Sequence, residues 1–87
     1  MTPVVLECGG KDPVIVASDA NLDRAVDATI WSAMANAGQS CIGAERVYVD
    51  EKVADIFIEK AIALASTLNA GAPGEGNYGA STMPSQI

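Results

Sequence analysis

The sequence predicts an α/β fold built around a parallel βαβ unit, and three observations carry that prediction. Short β-branched runs stand at Pro3-Val4-Val5-Leu6, Pro13-Val14-Ile15-Val16-Ala17 and Glu45-Arg46-Val47-Tyr48-Val49. Two longer stretches, one before the third run and one after it, space their apolar residues at helical intervals. The resulting order, β-β-α-β-α, puts a helix between two consecutive strands, and such a connection is a right-handed parallel crossover.

Taken in order, Pro3–Leu6 reads as a buried strand ending at Glu7, followed by Gly9-Gly10, where the backbone can turn or approach a neighbour closely. Pro13 suits the first position of the second strand, since a missing N–H is tolerated there. Lys11, in the connection, reads as a solvated lysine. Asn21 is the expected cap of the first helix, with Asp23 in its first turn. Leu22, Ala25, Val26, Ile30, Ala33, Met34 and Ala37 form its apolar stripe, Trp31 lies off the stripe's centre, and Gly38 is the expected terminator. Asp50 and Glu51 stand where the second helix should start, and Asn69-Ala70-Gly71 where it should end. Its face is Val53, Ile56, Phe57, Ala61, Leu64, Ala65 and Leu68.

Residues 71–87 are expected to be an irregular Gly/Pro-rich tail. The tail includes Gly74-Glu75-Gly76-Asn77-Tyr78-Gly79, a letter-for-letter G-x-G-x-x-G. A dinucleotide fingerprint needs a strand before it and a helix after it. This stretch follows a helical pattern and precedes none, so a glycine-rich loop is expected.

Composition narrows the function. The chain has 87 residues and a net charge of −6, with no basic patch, which argues against nucleic-acid binding. No apolar run approaches the ~20 residues of a membrane span, and no secretory leader is legible, so a cytoplasmic protein is expected. There is no histidine, and Cys8 and Cys41 alone close no zinc site. The apolar share of 49% is largely Ala and Val, with four aromatic residues. That makes a thin core, typical of a segment that leans on neighbouring structure.

The chemistry concentrates in two stretches, Leu6-Glu7-Cys8-Gly9-Gly10-Lys11 and Gly38-Gln39-Ser40-Cys41, with Glu7 and Cys41 34 residues apart. Cys41 falls on a linker between a helix and a strand, where rigid neighbours commonly hold reactive groups. Leu-Glu-x-Gly-Gly-Lys followed at this separation by Gly-Gln-x-Cys resembles the aldehyde dehydrogenase superfamily. The resemblance runs on through Ser18–Val26, Glu45–Val49, Tyr78-Gly79 and Met83–Ile87, and covers essentially the whole chain. Met34 departs mildly from it, where an aromatic or branched residue is commoner.

The resemblance implies that residues 1–87 are part of the catalytic domain of an NAD- or NADP-dependent enzyme that oxidises a small aldehyde to an acid. Cys41 would be the nucleophile, forming a thiohemiacetal and then a thioester, and Glu7 the general base. Cys8, usually Leu, and Gly9 would face the nicotinamide through their backbone. The nucleotide-binding domain, the oligomerisation hairpin of these homo-oligomeric enzymes and the upstream Asn of the oxyanion site are expected to be absent from the chain, and Asn36 does not replace that Asn. Turnover by the chain alone is therefore not expected. The rival expectation is a truncated product without catalysis, which binds full-length subunits through exposed strand edges or offers a redox-sensitive thiol, with a Cys8–Cys41 disulfide as one form of it. The enzymatic reading requires Glu7 and Cys41 to face a common opening.

Overall fold

In the computed structural model, which describes residues 1–86, the β-branched runs at Asp12–Val16 (β1) and Ala44–Val49 (β2) pair as parallel strands. Between them runs helix α1, Leu22–Met34, and after them α2, Ala54–Ala65. This is the α/β class and the βαβ unit that the patterning predicts. Asp12 lies opposite Ala44 and Pro13 opposite Arg46, so Glu45 is an extra residue at the start of β2. From there the register is regular, up to Val16 opposite Val49.

The core is small. Val16, Val26 and Phe57 are buried, one from β1, one from α1 and one from α2. Val14, Leu22, Ile30, Val49, Ala61 and Leu64 pack against them partly buried. Asn21 caps α1 as expected, its Oδ1 accepting from the Arg24 N–H at 3.1 Å. A Lys60–Asp23 ion pair of 2.6 Å joins α2 to α1 on the surface.

Five expectations need correction. Pro3–Leu6 is not a strand: it leads into β1 rather than lying beside it, and without a partner its side chains stay in water, with Val5 88% exposed. Helix α1 stops at Met34 and not at Gly38, because Asn36 (φ 55°) and Ala37 (φ 58°) already take left-handed backbone in a short 3₁₀ segment, Ala35–Gly38. Helix α2 starts at Ala54 with no side-chain cap, while Asp50 Oδ1 accepts from the Lys52 N–H at 3.0 Å in the turn before it. It ends at Ala65, where the Ser66 and Thr67 hydroxyls donate to the Ile62 and Leu64 carbonyls, each at 2.7 Å. The same helix leaves Ile56, expected on its inner face, half exposed at 51%.

The glycine-rich stretch is a loop after α2 that folds back on itself. Gly71 N donates to Tyr78 O at 3.0 Å and Asn77 N to Asn69 O at 2.8 Å. A Cβ on Gly71 would stand 2.7 Å from Gly76 N, so this close approach of backbones is what these glycines serve. Pro84–Gln86 forms a last short 3₁₀ turn; Ile87, the end of the Met83–Ile87 resemblance, lies outside the described residues.

Candidate active site

The two chemistry-bearing stretches meet at the N-terminal ends of the parallel strands. Glu7, Cys8, Gly9 and Gly10 lead into β1, and Cys41 lies three residues before β2. Their contact runs through Gly10: a Cβ built there would stand 2.6 Å from the Cys41 carbonyl oxygen and 2.3 Å from Asp12 Oδ2. No real Cβ tolerates such distances, so glycine is what lets the two segments touch. Glu7, three residues upstream, has its Cα within about 11 Å of Gly10 along the chain.

Two polar links lock the segments together. Lys11, exposed as expected of a solvated lysine, also pairs with Glu45. Arg46 donates Nε and Nη2 to the Lys11 carbonyl, at 3.1 and 2.5 Å. The extra residue at the start of β2 is the one that meets Lys11, a use of a sheet irregularity to redirect a side chain. Asp12 Oδ2 is buried under Gly10 with no hydrogen-bond partner among the described residues.

The Cys41 loop is itself tightly organised. Asn36 Nδ2 donates to Gln39 O and Gln39 Nε2 to Asn36 O, each at 3.0 Å, and Gln39 N donates to Asn36 O at 3.2 Å. These bonds close the left-handed turn, whose two non-glycine residues cost about 1–2 kcal/mol each. Ser32 Oγ, on α1, accepts from Ala44 N at 3.2 Å and ties the far end of the loop. In the sequence Gln39 stands out only as a motif letter. The polar side chain beside the cysteine was the available signal for the closing contacts of Gln39.

Cys41, Glu7 and Cys8 are all exposed, and both cysteines are free thiols. Gly9 has φ +95° and open space where a Cβ would stand. An apolar groove of about 560 Å³ lies elsewhere, between α1, α2 and the tail, with Trp31, Met34, Leu68 and Tyr78 in its walls. It does not include Cys41 or Glu7. Among the described residues no group of three His, Cys, Asp or Glu side chains is placed to hold a metal ion.

Cys41 and Glu7 thus stand on two segments that touch at the N-terminal ends of β1 and β2. The family model described as "Aldehyde dehydrogenase family" matches residues 1–87, and the chain belongs to that family. It is 40% identical over 79 residues to a D-glyceraldehyde dehydrogenase (NADP(+)) of Picrophilus torridus, which covers 91% of this chain and 16% of the relative. It is 45% identical over 75 residues to a vanillin dehydrogenase of Pseudomonas fluorescens, covering 86% of this chain and 16% of that one. Lactaldehyde dehydrogenase from Escherichia coli superimposes with a TM-score of 0.76 at 42% identity, over 79% of this chain and 14% of that one. The chain thus spans about one sixth of the length of the curated relatives it matches.

Proposed function

We propose that this chain is the nucleophile-bearing segment of an NAD(P)-dependent aldehyde dehydrogenase, with Cys41 as nucleophile and Glu7 as general base. The observation that carries the reading is the contact of Gly10 with the Cys41 carbonyl, which places the Leu-Glu-x-Gly-Gly-Lys stretch against the cysteine loop. The family membership and the exposed thiol support it.

Cys41 Sγ, as the thiolate, adds to the aldehyde carbon and gives a thiohemiacetal. The Cys41 backbone N–H would serve as a donor to its oxygen. The open backbone at Cys8-Gly9 would hold the nicotinamide, and NAD(P)⁺ when bound supplies the acceptor for the hydride that leaves the carbon. The product on the sulfur is a thioester. Glu7 takes a proton from water as that water attacks the thioester carbon, which releases the acid and returns Cys41 as the free thiol. The substrate is a small aldehyde and the setting cytoplasmic.

The test is a graft. Residues 1–87 replace the matching segment of a full-length relative, and aldehyde-dependent NAD(P)H formation is followed. The expected result is retained turnover, its loss in Cys41→Ser, and in Glu7→Gln a single stoichiometric burst with turnover slowed about 10²-fold or more. A folded graft whose Cys41→Ser variant still turns over would overturn the assignment. The isolated chain is expected to show no turnover.

One observation favours a second reading, a truncated product that binds full-length subunits. Val4, Val5 and Leu6 and the Ile15–Tyr48 face of the sheet are exposed apolar surface of the kind that docks on further structure. Co-purification of the isolated chain with a full-length dehydrogenase is its expected outcome, and a stable monomer in such a mixture counts against it.

A further inference from the structure

The side chain of Gln39 does more than close its own turn. Nε2, besides its bond to Asn36 O, reaches Ala80 O at 3.4 Å, and Oε1 accepts from Thr82 N at 2.8 Å. An amide side chain that donates to one residue's carbonyl and accepts from the N–H two residues on offers the same two groups as a neighbouring strand's peptide unit. These bonds join positions 41 and 43 residues apart in sequence, so they tie the glycine-rich tail to the loop that carries Cys41.

The loop has reason to need such a tie. Asn36, Ala37 and Gly38 are left-handed in succession, with φ of 55°, 58° and 74°. Backbone of that kind persists only where its surroundings over-determine it. Cys41 stands three residues after the turn's last left-handed residue, and Gly43 N donates to Ser40 O at 3.1 Å around it. The turn and this link fix the backbone on which Cys41 stands.

We propose that Gln39 is a positioning residue: its amide clamps the Ala80–Thr82 backbone to the left-handed turn and thereby sets the direction of the Cys41 thiol. The functional consequence rests on the reading of Cys41 as the nucleophile. A residue that acts through the loop affects the attack step, so the loss of Gln39 is expected to lower kcat more than it raises KM.

The experiment uses the 87-residue chain with Gln39→Leu, which keeps the bulk and removes the side chain's polar contacts, and Gln39→Glu, which keeps an oxygen that can accept from Thr82. Amide exchange at Thr82 and the ratio of Cys41 to Cys8 alkylation by iodoacetamide are read together. Gln39→Leu is expected to speed Thr82 exchange about tenfold, the equivalent of one net hydrogen bond, and to shift the alkylation ratio. Gln39→Glu loses the donations to Asn36 O and Ala80 O and sets a carboxylate against those carbonyls, so it is expected to recover part of the Thr82 protection while leaving the alkylation ratio shifted, a split that a purely volumetric role would not give. Amides of Val16, Val26 and Phe57 report on folding; if Gln39→Leu loosens them, Gln39→Glu decides. Unchanged Thr82 exchange in Gln39→Leu, or a changed exchange with an unchanged alkylation ratio, overturns the proposal. In the graft, a dead Cys41→Ser with a kcat of Gln39→Leu equal to the parent's sinks the positioning role alone, whereas an active Cys41→Ser sinks the nucleophile reading first.

Discussion

Gly10 and Ala37 are opposite answers to one backbone problem. At Gly10 the chain needs no side chain, because the Cys41 carbonyl and Asp12 Oδ2 already occupy the place a Cβ would take. Gly10→Ala must push a backbone oxygen aside, which costs about 1–3 kcal/mol and separates the two segments; a fall in the denaturation midpoint together with an altered rate of Cys41 alkylation is expected. Ala37, by contrast, carries a Cβ at φ 58° where glycine would be unstrained. Ala37→Gly removes about 1–2 kcal/mol of strain and returns somewhat under 1 kcal/mol of it as chain entropy, so a small net stabilisation is expected in denaturant melts. An equal or lower midpoint would mean that the left-handed turn is less demanding than its dihedrals indicate. Neither residue's role is readable from sequence alone: Gly10 appears as one letter of a motif, and Ala37 as a regular helical apolar position.

At the scale of elements, the two helices are held to each other by the small core and one surface pair. Phe57 is the largest buried side chain of the core, so Phe57→Ala is expected to cost about 3–5 kcal/mol, enough to abolish cooperative unfolding in a domain this thin. Retained cooperativity would show that the sheet and α1 hold together without it. The pair acts differently. The hydrogen bond to Asp23, and then its charge, raise the pKa of Lys60 above the ordinary 10.5. A raised folded-state value means the ammonium form is favoured by folding. Its contribution is therefore complete through the neutral range and is lost as pH rises past 10.5 and through the raised value. Comparing Lys60→Met with the parent isolates it: the two midpoints should differ slightly at neutral pH and converge in strong alkali. A gap that widens with pH would reverse the sign. Element identity was legible here because periodicity reports burial of a face. The ends were not, because the Ser66 and Thr67 hydroxyls and the left-handed turn at Asn36 stop the helices through local hydrogen bonding that periodicity does not encode.

The whole molecule is more open than its mass would suggest. Its accessible surface is 6784 Å², against about 4,800 Å² for a folded monomer of this mass. Its radius of gyration is 15.7 Å, against about 12 Å for a compact domain of this length. Exposed apolar side chains that a further layer would cover contribute to it: the Val4–Leu6 arm, the Ile15–Tyr48 sheet face and Trp31, which is 75% exposed. Trp31 is the only tryptophan in the sequence, so fluorescence reads its environment directly. Emission close to that of free indole and ready quenching by iodide are expected for the isolated chain, with a blue shift and protection once the segment is grafted into a full-length relative. Identical spectra in both settings would contradict the view that this surface is built for contact.

The residue pattern by itself determined the α/β class, the parallel crossover, the cap of α1 and the identity of the two chemistry-bearing stretches. Each of those depends on local spacing or on a short run of residue types. The tertiary structure decided what spacing does not carry: that Pro3–Leu6 has no strand to pair with, that Gly10 is where Glu7's stretch meets the Cys41 loop, and that Gln39 spans from that loop to the tail. These are contacts between residues distant in sequence, and only the folding of β1 against β2, with the tail brought back along α1, puts them within reach of one another.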